Sequence, residues 1–203
     1  AGSVCQLYGD EGVGKNMLMN YVIAQVQKHY REEAAVVYVP LEYGFDKAFS
    51  WECGVACPLS EEERKDFVLD RGDELPDEEL EVATRSVGEF LIVDTGEKGR
   101  EIPAEAKFDG ALELLGSGEF QVICIDGIGA FLGKDQRFKD EGRRRRLADV
   151  RKIGVNARLL TDFLAEVFTL LGMPGKDGSP NNTTVILNNQ VRANIVEGFA
   201  AKY

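Results

Sequence analysis

Positive charge is what this chain most lacks. Its 24 lysines and arginines are set against 35 aspartates and glutamates, a formal net charge of −11 over 203 residues. That balance argues against nucleic-acid affinity spread over the whole surface, and leaves open a local basic patch. Histidine is almost missing, with His29 the only one. Of the four cysteines, Cys53 and Cys57 form a lone pair far from His29 in sequence, short of the four ligands a structural zinc site takes. Cys5 and Cys124 lie inside apolar runs and read as buried small hydrophobes. No run approaches the roughly 18 apolar residues of a membrane span. No charged-then-apolar leader opens the chain. Both absences point to a soluble cytoplasmic protein with no membrane partner, in which disulfides are not expected. No internal repeat or low-complexity tract is present. With 44% hydrophobic residues, the chain can build one sizeable core, so a single domain over 1–203 is expected.

Short apolar runs rich in β-branched residues alternate with helical patterns. SVCQLY (3–8), AAVVYVPLE (34–42), FLIVDT (90–95), QVICID (121–126) and TTVILNNQ (183–190) read as strands. Residues 16–30, 103–115 and 158–171 read as helices, the second with proline near its first turn. This alternation predicts an α/β fold: a mainly parallel β-sheet with helices on both faces. The chain begins directly on its first strand and stops soon after its fifth, as a core lacking flanking segments at both ends would.

Two segments break the alternation. Residues 58–107 carry 16 acidic and 7 basic side chains, and the stretch 58–89 reads as a solvated acidic insertion. Residues 134–158 are the reverse, with 10 basic and 4 acidic residues, including Arg143, Arg144, Arg145, Arg146, Arg151 and Lys152. Two roles are open to this basic segment. It neutralises nucleic-acid phosphates without reading sequence, or it is a solvated loop paired with the acidic insertion.

The stretch GDEGVGKNM (9–17) has Gly9, four residues, then Gly14 and Lys15. That spacing suits a phosphate-binding loop. Glycines let successive backbone N–H groups converge on phosphate oxygens, the following helix adds the positive end of its dipole, and the lysine adds a charge. Here Gly9, Asp10, Glu11, Gly12, Val13, Gly14, Lys15, Asn16 and Met17 form the candidate loop between a strand and a helix. Asp126 ends the apolar strand QVICID, where a carboxylate can hold Mg²⁺ beside such a loop.

With these residues in hand, the chain resembles the ATPase core of RecA-type recombinases. The resemblance runs through four islands in order: the loop, YVPLEYGFDKAF (38–49), VICIDGIGAFLGK (122–134), and ARLLTDFL with NNTTVILNNQVRANI (157–195). It implies a RecA-like P-loop fold that binds ATP and Mg²⁺. It matches Glu42 to the glutamate that activates the attacking water. Asp46 and Phe49 match positions that contact adenine, and Gln190 matches the residue that senses the γ-phosphate. The basic segment 134–158 falls at the family's first DNA-binding loop, and Arg192, in 191–203, at the second. The partners implied are single-stranded DNA, duplex DNA during strand exchange, and further copies in a filament or ring. The setting implied is a bacterial or phage-infected cell.

Asn16 departs from this pattern, standing where the family has Thr or Ser as a metal ligand. Gly127 stands where the family commonly has Ser. Three roles are open to Asn16. Its amide oxygen coordinates Mg²⁺ directly, or it holds a water that does, or it holds the metal weakly and turnover is slow. The function expected is an ATP-dependent recombinase. The alternatives are a RecA-fold ATPase with another task, such as a ring helicase or recombination mediator, and a nucleotide-gated binding module with little or no hydrolysis.

Overall fold

The computed structural model describes residues 2–41, 45–57, 88–93, 103–128 and 155–190. Five strands form one sheet: β1 (Ser3–Gly9), β2 (Ala35–Pro40), β3 (Glu89–Ile92), β4 (Val122–Asp126) and β5 (Thr184–Gln190). Their spatial order is β1-β5-β4-β2-β3, and every pairing is parallel. Parallel neighbours need crossover connections, and helices supply them. Among the described residues these are α1 (Lys15–Tyr30), α2 (Lys47–Glu52), α3 (Ala104–Ser117) and α4 (Val155–Leu171).

The strand sequences explain why the sheet is covered on both sides. Val36, Val37, Tyr38 and Val39 are successive and all buried, as are Val122 to Ile125. A run without polar alternation belongs to a strand with a helix on each face. On one face Val37, Val39, Ile123, Ile125, Val185 and Leu187 pack with Phe108 and Leu115 of α3 and Phe163 and Val167 of α4. Phe108 and Phe163 stack with ring centroids 4.4 Å apart. Burying a side chain of this size stabilises the fold by about 1.5–3 kcal/mol. On the other face Val36, Tyr38, Val122, Cys124 and Ile186 pack with Met19 and Ile23 of α1 and with Val55 and Cys57 beyond α2. The α/β fold expected from the alternation of elements, a mainly parallel sheet with helices on both faces, is the one observed.

The differences are local. Helix α3 starts after Pro103, which sits in an extended conformation, and stops at Gly118, whose φ of 73° ends the helix in the left-handed region. Helix α2 was not foreseen, because six residues are too few to show a period. Its start is fixed by Asp46, whose carboxylate accepts a hydrogen bond from the Phe49 backbone N–H at 3.0 Å. Cys124 is buried as expected, but Cys5 is exposed. It lies on β1, whose one strand partner among the described residues is β5.

Most of the acidic stretch, at 58–87, lies outside the described residues, as do the segments 134–154 and 191–203. Among the described residues no helix is long and apolar enough to cross a membrane.

Candidate functional site

Register assembles the site. Asp126, the last residue of β4, is level with Asn188 on β5 and with Pro40 on β2. Gly9, the last residue of β1, is level with Gln190. Four strand ends therefore meet at one edge of the sheet. Side chains two apart share a face, so Tyr38, Asp126 and Asn188 stand on the face of Cys124 and Ile186, the one covered by α1. Asn16, in the first turn of α1, arrives above them.

The loop between β1 and α1 has the conformation its glycines permit. Gly12 has φ 77° and Gly14 has φ 88°, values that L side chains rarely adopt. A Cβ at Gly12 would meet nothing within 4 Å, so the demand there is for backbone conformation and not for space. No side chain caps the start of α1, which leaves its first N–H groups without a side-chain acceptor at the cap. The Lys15 ammonium donates to the carbonyl oxygens of Gly9 at 2.9 Å and Asp10 at 2.6 Å.

A polar network joins the Asp126 side of the site. Tyr38 donates its phenol O–H to Asp126 Oδ2 at 2.6 Å. Asn188 donates from Nδ2 to Asp126 Oδ1 at 2.6 Å and to Asn16 Oδ1 at 2.5 Å. Asn16 in turn donates from Nδ2 to Asp126 Oδ2 at 3.4 Å. Burial, with the neighbouring Asp126 carboxylate, pushes the Tyr38 phenol well above its ordinary range, so it serves as a donor. Gly127 has φ 90° and is buried, which explains why glycine stands where a serine was anticipated.

These groups border one cavity of about 400 Å³, lined by Glu11, Gly12, Gly14, Lys15, Asn16, Met17, Phe49, Asp126, Gly127 and Asn188. That volume lies within the range of small-molecule sites. Its chemistry suits a triphosphate with a divalent cation: loop N–H groups and one ammonium on one side, and carboxylate and amide oxygens, the hard donors Mg²⁺ prefers, on the other. Among the described residues no three His, Cys, Asp or Glu side chains cluster to hold a metal without such help.

The candidate residues fare differently. Glu11, Gly12, Gly14, Lys15, Asn16, Met17, Phe49 and Asp126 are brought around the cavity, while Gly9, Asp10 and Val13 belong to the loop but not to its lining. Asp46 caps α2 and is not among the lining residues. Gln190 ends β5 beside Gly9 through its backbone. Glu42, Arg143 to Arg146, Arg151, Lys152 and Arg192 lie outside the described residues. Sequence reasoning missed Tyr38 and Asn188. The signal for both was parity along their strands, since each falls an even number of residues from a buried position facing α1.

A parallel sheet of this order with a glycine–lysine loop after its first strand defines a RecA-like α/β core. No family model matches the chain. Among curated proteins it is 25% identical over 196 residues to Protein RecA of Rhodospirillum rubrum, covering 96% of this chain and 38% of that protein. It is 25% identical over 194 residues to Protein RecA of Bdellovibrio bacteriovorus, covering 96% and 37%. To Protein RecA of Bacillus mycoides it is 26% identical over 196 residues, covering 96% and 41%. The chain thus spans about 40% of the length of these relatives.

Proposed function

We propose that this chain is the ATPase core of a RecA-type recombinase. In this reading it binds ATP with Mg²⁺, binds single-stranded DNA, assembles with further copies into a filament, and pairs that strand with duplex DNA. The observation that carries the proposal is the convergence of Lys15, Asn16, Asp126 and Asn188 on one cavity above the loop after β1. The similarity to RecA proteins along nearly the whole chain supports it.

Each residue has a chemical task. The loop N–H groups and the start of α1 hold the phosphates. Lys15 exchanges the carbonyl oxygens of Gly9 and Asp10 for phosphate oxygens. Asn16 and Asp126 hold the cation; bound Mg²⁺ neutralises charge on the phosphate oxygens. Glu42 accepts a hydrogen bond from the attacking water and aligns it. Phe49, half-exposed at the cavity wall, offers a ring to the base. The Gln190 amide donates to an oxygen of the γ-phosphate, a hydrogen bond that hydrolysis breaks. The basic segment with Arg143 to Arg146, together with Arg192, neutralises the DNA backbone.

The test is Mg²⁺-dependent ATP turnover by the complete protein, with and without single-stranded DNA, beside electron microscopy of the same mixtures. Turnover stimulated by DNA, with filaments, is the expected result. ATP bound without turnover would reduce the protein to a nucleotide-gated binding module. Rings in place of filaments would move it to a helicase-type role.

A further inference from the structure

Asn188 is the part of the site that neither the loop pattern nor the acid at the end of β4 accounts for. It follows the buried residues Val185, Ile186 and Leu187 on a central strand and is itself only 5% exposed. An amide there loses its water, so its partners must be protein groups or a ligand. Its Nδ2 has two acceptors, Asn16 Oδ1 and Asp126 Oδ1. Its own Oδ1 is buried and has no hydrogen-bond partner.

Those two acceptors fix which way the amides point. The Asp126 carboxylate oxygens accept from the Tyr38 phenol and from the N–H groups of both asparagines. Turning the Asn188 amide over would set its oxygen against two other oxygens. Asn188 must therefore donate, and Asn16 must turn its own Oδ1 inward to meet it. The Asn16 Nδ2 is left on the side of Asp126 Oδ2. Without Asn188, only the long 3.4 Å hydrogen bond from Asn16 Nδ2 to Asp126 Oδ2 would orient the Asn16 amide.

We propose that Asn188 is a positioning residue that makes Asn16 usable as a metal-end side chain. It clamps the Asn16 carbonyl oxygen beside Asp126 and leaves one lone pair of that oxygen for a divalent cation. The two asparagines form a matched pair, so exchanging Asn16 alone for a hydroxyl residue does not restore a better metal site. A shorter threonine at 16 leaves a buried N–H of Asn188 without an acceptor, and an apolar residue at 188 leaves Asn16 held only by its long bond to Asp126. The change succeeds only when both are made. This rests on the nucleotide-site reading above.

A double-mutant cycle on the full chain tests it, with Asn16→Thr, Asn188→Leu and the double variant. Two quantities are read: the Mg²⁺ midpoint for binding a fluorescent ATP analogue, and unfolding by urea without nucleotide or metal. Each single change is expected to raise the Mg²⁺ midpoint about tenfold, with the double variant within about threefold of the wild type. The unfolding midpoints show the same recovery. Should Asn188→Leu fail to fold, Asn188→Thr replaces it, since threonine can reach one of the two acceptors but not both. Additive effects on the Mg²⁺ midpoint, or a gain from Asn16→Thr alone, overturn the proposal. Binding of the analogue with no Mg²⁺ dependence in the wild type overturns it too. A wild type that binds no analogue at all defeats the nucleotide-site reading itself, and is distinguished from these outcomes by the absence of any signal to titrate.

Discussion

The phenol of Tyr38 donates to Oδ2 of Asp126 across adjacent parallel strands, at 2.6 Å. Tyr38 lies two residues before Pro40, the residue level with Asp126. Its ring is held from the side by Phe45, with centroids 4.6 Å apart. The carboxylate is thus oriented from beneath by a buried donor. Tyr38→Phe removes that donor and keeps the ring. The expected outcome is a loss of about 1 kcal/mol in urea unfolding, and a Mg²⁺ affinity about tenfold weaker in analogue binding.

The Lys15 ammonium donates to the carbonyl oxygens of Gly9 and Asp10. Lys15→Ala should keep the fold, since the strand and helix on either side are held by their own packing. Turnover should fall by about 100-fold or more, as removal of one charge-stabilising donor does elsewhere. Circular dichroism beside an ATP assay checks both halves. A variant that turns over ATP at the wild-type rate would remove Lys15 from the chemistry.

Gly12 sits at φ 77° with open space where a Cβ would go. The penalty for Gly12→Ala is therefore conformational, about 1–2 kcal/mol. Gly12→Asn should cost less, because asparagine visits the left-handed region more readily. Thermal unfolding of the two variants ranks them.

Burial pushes the Cys57 thiol up to about 12, against an ordinary value of 9.0, and the nearby Lys47 only partly offsets it. The folded state thus holds its proton where the unfolded state releases it. The stability due to the neutral thiol is whole below pH 9 and is lost as pH climbs from there toward 12. At pH 10 the loss from this residue is about 1 kcal/mol. Urea unfolding under reducing conditions between about pH 7 and pH 10 measures it, and Cys57→Ala should flatten that part of the slope.

Replacing Arg143 to Arg146 by alanine removes four cations from the chain. If all four meet phosphates, the salt dependence of single-strand binding should become shallower by about 3 in log–log slope. Fluorescence titrations at several salt concentrations give the number. An unchanged slope would assign the cluster to contacts within the protein.

The parts legible in the sequence were those encoded locally. The glycine–lysine spacing at 9–15 constrains a loop whose backbone is set within a few residues, and Gly12 and Gly14 adopt the left-handed conformations such a loop needs. Asp126 was legible because it ends an apolar run. Helix α2 was not, because its start depends on one cap, Asp46, and its length is less than two turns. Cys5 was misjudged because an apolar run does not say whether its strand lies at the centre or the edge of a sheet.

By itself the sequence determined the class of fold and the glycine–lysine loop, since hydrophobic period and glycine placement act over short stretches of chain. What the tertiary structure alone decided is the polar network around Asp126. Tyr38, Asp126 and Asn188 come from three strands, and they meet because β4 lies between β2 and β5. Asn16, a departure from the expected pattern when read along the chain, has Asn188 as its partner 172 residues away. Strand order is set by how buried faces pack over the whole sheet, so no local pattern around residue 16 could announce that partner.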